Sequence, residues 1–429
     1  MSKLKLHWQI LIALALAVVA GWITGADGEL LGVRVVGAYE FIGTLFLNAL
    51  KMLIVPLIMS SIIVGVAGIG SSGDLGRLGS KTLVYYLSSS ALAILVGLVL
   101  VNLIRPGIVD GEPAGELLAL EEAASLPETL GQSDAGALVD IFLRMVPTNV
   151  VQAAANGQML GLIFFSLLFG YFLSRVDHGA SEPLYNFWNG VFQVMMRITE
   201  WVMKFAPLGV FGLVAETVSQ TGFGAAGPLI MFSLTVIVAL LFHALVTLPL
   251  LLRIFARVAP YRMLPAMAPA LMTAFSTASS SATLPVTMDC LEKNAGVSNR
   301  TSSFVLPLGA TVNMDGTALY ECVAAMFIAQ AYGVDLNFGI QFVIVVTALV
   351  TSIGVAGVPS ASLVAIAIIL TAVGLPLEAL GVLLVFDRLL DMMRTSVNVF
   401  GDSCGAVIVA RLEGEDQVLS PGAAGDRAG

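Results

Sequence analysis

The sequence predicts an all-α polytopic membrane protein with eight transmembrane helices and two re-entrant helical hairpins arranged as inverted repeats. Composition is the first observation behind this. Of 429 residues 58% are hydrophobic and 11% charged, and the mean hydropathy is +0.94, more apolar sequence than a soluble core can bury. Secondly, Lys3, Lys5, Arg77, Lys81, Arg175, Arg253, Arg257, Arg262, Lys293 and Arg300 all fall on one alternating side of the spans. That side is expected to be cytoplasmic, with both termini. Thirdly, the C-terminal half twice repeats one pattern: two short apolar arms around a run of small residues, then a full-length segment with polar residues at its middle.

The apolar run after Lys5 continues to about Gly25 without a convincing cleavage site, so span one is a retained helix at about Trp8–Thr24. Span two is about Phe41–Ile69, with Pro56 tolerable inside a bundle, and span three about Thr82–Ile104. Residues 106–134 form a loop with seven acids and no base. Apolar pieces from Leu138 to Leu173, broken by Pro147 and by Asn156–Gln158, make span four; spans five and six are about Leu184–Val218 and Leu229–Phe255. The first hairpin lies at about 260–292 around Ser276–Thr283, and the second at about 338–374 around Ser352–Ser362. Each arm has about 10–16 residues, too short for a crossing, so each tip is expected to end within the membrane. There, backbone N–H groups can meet an anion and unwound carbonyls can meet cations. Span seven carries Asn313–Thr317 (NMDGT) at its middle, and span eight is Leu383–Arg411. Residues 411–429, mixing Glu, Asp, Gly and Ala, read as a disordered cytoplasmic tail.

Span eight points to a site. Asp387, Asp391, Arg394, Asn398 and Asp402 follow one another at spacings of four, three, four and four, which puts them within roughly an 80° stripe of one helix face. Thr395 shares the stripe, and Arg388 points off it. An ionisable group facing lipid costs about 2.5–3.5 kcal/mol, so these groups, with Asp315 and Glu321, must face protein or water. Three aspartates against one arginine leave two negative charges in excess, and Asp315 makes three. Either carboxylates are protonated or cations sit among them, and the neighbouring Asn, Thr and Ser oxygens are hard ligands suited to a small alkali ion. The bland alternative is a packed helix whose Asp–Arg pairs only hold neighbours together.

Other chemistries are disfavoured. Cys290, Cys322 and Cys404 are scattered and odd in number, and His7, His178 and His243 do not cluster with them, so no disulfide framework and no zinc or haem site is expected. Gly401–Gly405 matches G-x-S-x-G but lies in a helical pattern, where the motif needs a strand-to-helix elbow and a nearby base; no enzyme is expected. No organic cofactor and no nucleic-acid partner are expected either.

Seven stretches resemble one family closely: KMLIVPLIMSS at Lys51–Ser61, YYLSSS at Tyr85–Ser90, FAPLGVFGL at Phe205–Leu213, SSSATLPVT at Ser279–Thr287, PLGATVNMDGTALYE at Pro307–Glu321, SIGVAGVPS at Ser352–Ser360 and DMMRTSVNVFGD at Asp391–Asp402. They are similar to the prokaryotic, excitatory amino acid transporter-like members of the dicarboxylate/amino acid:cation symporters, carriers of glutamate and aspartate coupled to sodium or protons. The resemblance implies a homotrimer in the cell membrane, with residues 1–71 and 130–222 as a scaffold. Residues 78–110 and 223–410 would form a transport domain moving like an elevator through the lipid bilayer, the second hairpin being its gate. By the same resemblance Arg394 holds the side-chain carboxylate of L-aspartate or L-glutamate, Asp391 its ammonium, and Thr395 and Asn398 its other polar atoms. Ser280, Thr317 and Val358 complete that pocket. Co-transported sodium ions would lie on Gly309, Asn313, Asn398 and Asp402; on Thr311, Ser352, Ile353 and Val355; and on Tyr86, Ser89, Ser90, Asn313 and Asp315.

A guanidinium fork suits a carboxylate, and neutral amino acid relatives lack an arginine at the position of Arg394, so an acidic substrate is favoured. One methylene separates aspartate from glutamate, about 1–3 kcal/mol, and the preference stays open, as do the stoichiometry and any potassium counter-transport. Glu321 stands where archaeal relatives carry a glutamine and animal ones a proton-carrying glutamate, so it is expected to carry a proton. Relatives usually have a second arginine at the first hairpin tip or in the last span, where this chain has Ala278 and Met392, and Ser360 and Ser362 replace glycines common in some relatives. A C4-dicarboxylate:cation symporter remains an alternative, and an ion channel is one from another class, although the asymmetric Arg394–Asp391 pair suits a zwitterion better than a pore.

Overall fold

In lipid a backbone has no water to bond, so each segment must close its own hydrogen bonds. The computed structural model is accordingly helical, with only two two-residue β pairs, Glu29–Leu30 with Val33–Arg34 and Ile108–Val109 with Glu112–Pro113, among the described residues. It describes residues 6–30, 33–69, 76–118, 146–156, 159–222, 226–334, 336–352 and 362–419, with residues 120, 143 and 224.

The first half is a run of helices: α1 (Leu6–Thr24), α2 (Val35–Ile69), α3 (Gly76–Ile104), α4 (Val150–Ala155), α5 (Met159–Leu173), α6 (His178–Met203) and α7 (Ala206–Thr221). α1 and α2 pack on α7, and α2 also packs on α5 and α6. The α1–α7 approach is close enough that a Cβ on Gly21 would lie 2.6 Å from the Ala215 carbonyl. Asn149 caps α4 by accepting hydrogen bonds from Val151 N and Gln152 N at 2.9 and 3.1 Å. The region expected as span five is two helices, because α6 ends at Met203 and α7 restarts with Pro207 in its first turn, where its missing N–H costs nothing.

α8 (Ala226–Ala256) contains the π-helical turns His243–Thr247 and Leu252–Ala256. Two helical pairs follow: α9 (Met263–Thr277) with α10 (Ser280–Lys293), and, after α11 (Asn299–Val312) and α12 (Asp315–Ala331), α13 (Phe338–Ser352) with α14 (Ser362–Ala372). At the first tip Ala278 adopts φ 48°, ψ 40°, and Ser279 caps α10 by accepting from Ala282 N at 3.2 Å. α15 (Leu380–Leu412) runs 33 residues and packs against α3, α7, α8, the first pair, α11 and α12. Residues 78–104 and 226–256 have by themselves the length and hydropathy to cross a bilayer. Large apolar side chains face outward along α1 (Leu16, Trp22), α3 (Val99, Leu103) and α8 (Leu234, Leu241), a surface that suits lipid.

The tail expected to be disordered from 411 is corrected over 411–419. α15 runs to Leu412, Val418 and Leu419 are buried, and Leu419 N donates to Ala295 O at 2.9 Å. Lys81 Nζ donates to Glu413 Oε1 at 2.6 Å. Glu415 accepts from Ser298 N at 2.8 Å and from the Ser298 and Thr301 hydroxyls at 2.6 Å each, so an acid sits at the start of α11, where free N–H groups and the helix dipole favour it. Burial raises the Glu415 carboxyl, but the Ser298 and Thr301 hydrogen bonds and the Arg300 charge outweigh it and hold the pKa below the ordinary value. A lowered folded-state pKa stabilises above the unfolded value and is lost as pH falls through the folded one. Hydrogen exchange at residues 413–419, corrected for intrinsic rates, is therefore expected to accelerate in acid below the ordinary glutamate range in wild type but not in Glu415→Gln; equal acid sensitivity in both would contradict this.

Candidate functional site

α15 is a single helix, so the polar residues spaced along its stripe emerge on one face, and each of these is buried: Asp387, Asp391, Arg394, Thr395, Asn398 and Asp402. They form two clusters. In the first, Arg394 is 0% exposed, and its Nη2 donates to Asp387 Oδ1 at 2.9 Å and Asp391 Oδ1 at 3.1 Å. Its guanidinium carbon lies 3.8 Å from the centroid of the Tyr320 ring, and the Tyr320 hydroxyl donates to Asp387 Oδ1 at 3.2 Å. Nε and Nη1 of Arg394 are buried without a partner. Unpaired donors on a buried cation are costly, and they leave the guanidinium with open capacity for an anionic group of a ligand. Nearby, Asn398 Oδ1 accepts from Gly316 N at 2.8 Å and Thr317 N at 3.3 Å, and its Nδ2 donates to Thr317 Oγ1 at 3.0 Å, which pins the start of α12 to α15.

The second cluster forms where α11 and α12 are interrupted. Asn313 is extended (φ −113°, ψ 93°) and Met314 non-helical (φ −118°, ψ 64°), which breaks the helix between α11 and α12. Asn313 Nδ2 donates to Asp402 Oδ1 at 2.9 Å, and Asp315 Oδ1 accepts from the Ser89 and Ser90 hydroxyls of α3 at 3.1 and 2.8 Å. The same hydroxyls lie 3.2 and 3.3 Å from Asn313 Oδ1. His243 Nε2 is 3.3 Å from Asp315 Oδ2. A Cβ on Gly309 would fall 2.5 Å from Asp402 Oδ1 and 2.6 Å from the Tyr86 hydroxyl, so glycine there lets carboxylate, phenol and backbone converge. Asp315 and Asp402 have no guanidinium or ammonium partner among the described residues apart from the His243 imidazole. Carboxylate, amide and hydroxyl oxygens at such density suit a small hard cation.

Most of the expected residues therefore come together: Arg394, Asp391, Thr317 and Asn398 in one cluster, and Tyr86, Ser89, Ser90, Gly309, Asn313, Asp315 and Asp402 in the other. Thr395 Oγ1 donates to the Asp391 carbonyl at 2.8 Å. Ser280 is buried at the first position of α10. Ser352 is buried on α13, with its hydroxyl donating to Leu349 O at 2.8 Å. The Thr311 side chain, Ile353, Val355 and Val358 lie outside the described residues. Glu321 is fully buried on α12; its Oε2 accepts from Thr351 Oγ1 of α13 at 2.9 Å and its Oε1 has no partner.

Sequence reasoning missed three participants and misread one of them. Tyr320 and His243 reach the clusters from distant segments, and no local spacing signals such contacts. Arg388 was expected to point off the stripe, yet it is buried, with Nη1 3.5 Å from Asp391 Oδ2. A long side chain one turn before Asp391 folds back to it. The charge balance shifts accordingly: two guanidiniums answer Asp387 and Asp391, and the surplus acidity lies at Asp315 and Asp402.

An arginine with free donors beside surplus carboxylates, inside an apolar helical bundle, suits a membrane transporter. The chain belongs to the sodium:dicarboxylate symporter family, whose model matches residues 6–412. That match assigns the chain to multi-pass membrane transporters and not to enzymes. It is 37% identical to the proton/glutamate-aspartate symporter of Escherichia coli (strain K12) over 96% of this chain and 93% of that protein. It is 37% identical to the proton/sodium-glutamate symport protein of Bacillus caldotenax over 97% and 96% respectively. With excitatory amino acid transporter 3 of Homo sapiens it shares 36% identity over 95% of this chain and 86% of that protein.

Proposed function

We propose that this protein takes up glutamate or aspartate by symport with sodium ions, with a proton carried on Glu321. The observation that carries this reading is the adjacency of the two clusters: Arg394, with two unpaired buried donors, shares α15 with Asp402, and Asn398 joins it to α12 beside Asp315. In this reading Arg394 holds the ligand's side-chain carboxylate through its open Nη1, the ligand's ammonium lies at Asp391, and Thr317, Thr395, Asn398, Ser280 and Val358 complete the pocket. Sodium neutralises Asp315 and Asp402, which closes the α11–α12 break and seats the ligand beside it. The remaining ion ligands are Tyr86, Ser89, Ser90, Gly309, Asn313 and Asn398, with Thr311, Ser352, Ile353 and Val355 at a further site. Relatives named as glutamate symporters over nearly the full length support the substrate class.

The same reading makes the protein a homotrimer in the cell membrane with cytoplasmic termini, eight spans and two re-entrant hairpins. The pairs α9–α10 and α13–α14, with arms of 11–15 residues that fall short of a bilayer's hydrocarbon thickness, support that topology. A transport domain of residues 78–110 and 223–410 would slide against the scaffold. Uptake of labelled aspartate into proteoliposomes, with sodium, potassium and pH gradients varied independently, tests this. Accumulation against a gradient driven by sodium is expected, and pH dependence should disappear in Glu321→Gln. Passive flux without accumulation would mean a channel, and an unchanged pH dependence in that variant would remove the proton.

A further inference from the structure

Arg388 follows Asp387 directly, and its helical position sends its Cα–Cβ bond away from the stripe. The side chain nevertheless turns inward. It is 8% exposed, its Nη1 stands 3.5 Å from Asp391 Oδ2, and Arg394 Nη2 holds the other oxygen of the same carboxylate at 3.1 Å. Asp391 is thus shared between two guanidiniums, one on each oxygen. The Nε of Arg388 is buried without a hydrogen-bond partner, so this cation is partly stripped of water and is held by charge more than by hydrogen bonding. Among Asp387, Arg388, Asp391 and Arg394 the formal charges cancel.

We propose that Arg388 is a specificity-determining positioning residue, which draws Asp391 Oδ2 to itself and so weakens the seat for a ligand's ammonium. This deepens the reading under Proposed function and rests on it. An ammonium arriving at Asp391 meets a carboxylate already answered by two cations, so its gain there is reduced. A C4 dicarboxylate without an ammonium meets a neutral wall instead of a negative one, so it is repelled less. Arg388 therefore narrows the gap in affinity between an amino dicarboxylate and its plain analogue, and removing its charge widens that gap from both sides.

The test is the ratio of succinate to aspartate dissociation constants, measured by competition on purified full-length protein at saturating sodium. In Arg388→Gln the ratio is expected to rise about tenfold, in line with coupling between close charge pairs, and in Arg388→Lys, which keeps the charge, to stay near the wild-type value. Arg388→Met keeps much of the buried stem and adds no unpaired polar atom, so it serves as the second variant if Arg388→Gln fails to fold. On an Asp391→Asn background the same substitution is expected to leave the ratio unmoved. An Arg388 that only packs would alter thermal stability, or both affinities by one factor, and leave the ratio unchanged; a ratio unchanged or lowered in the neutral variants overturns the proposal. Failure of wild type to bind either ligand would instead overturn the functional reading beneath it.

Discussion

Arg394→Lys is expected to weaken glutamate and aspartate binding by about 100-fold or more while the protein stays folded, because hydrogen bonds to charged groups contribute about 1.5–3 kcal/mol each and a lysine ammonium cannot reach Asp387, Asp391 and a ligand carboxylate at once as the planar guanidinium can. Lysine keeps the positive charge among Asp387 and Asp391, so the buried acids are not left alone. Arg394→Ala is expected to do more harm of a different kind, since stripping one partner from a buried ion pair costs about 3–5 kcal/mol of stability. The lysine variant therefore separates recognition from folding. Its sodium affinity should stay near wild type, because Arg394 bonds to none of Asn313, Asp315 and Asp402. Equal aspartate affinity in Arg394→Lys and wild type would remove the arginine from the pocket.

The second large effect is expected at Asp402. Asp402→Asn preserves shape and removes one of the two surplus charges, and a unit charge pair about 4 Å apart near a protein surface is worth on the order of 4 kcal/mol. The sodium concentration for half-maximal aspartate binding should rise by more than about tenfold, and aspartate affinity at saturating sodium should recover most of its wild-type value. Coupling of this kind is reciprocal, so sodium binding measured alone should weaken in the same variant. A loss of aspartate affinity that no sodium concentration restores would place Asp402 with the ligand and not with the ion.

Where the sequence was legible, and where it was not, follows from the range of the forces involved. Lipid demands apolar helices of a certain length, so the helical character and most helix positions show in composition and hydropathy. The polar face of α15 was readable because one unbroken helix fixes the directions of Asp387 to Asp402 by their spacing alone. The break at Met203–Ala206 was not: Lys204 and Pro207 mark it, but the apolar runs on either side join without a polar loop between them. Arg388 was misread because spacing describes where a Cβ points and not how far a flexible stem reaches. Tyr320 over Arg394 and His243 beside Asp315 are meetings between segments far apart in the chain, set by packing. The strap at 413–419 looked like tail by composition, yet Glu415 has a partner in the start of α11 that composition alone does not reveal.

The account depends on cations answering the buried acids Asp315 and Asp402 before the amino acid binds. Isothermal titration of aspartate into purified protein, once in sodium-rich buffer and once with choline in place of sodium at the same pH, tests that directly. Affinity lower by about 100-fold without sodium is the predicted result. Equal affinity in both buffers, with no proton taken up on binding, would contradict it.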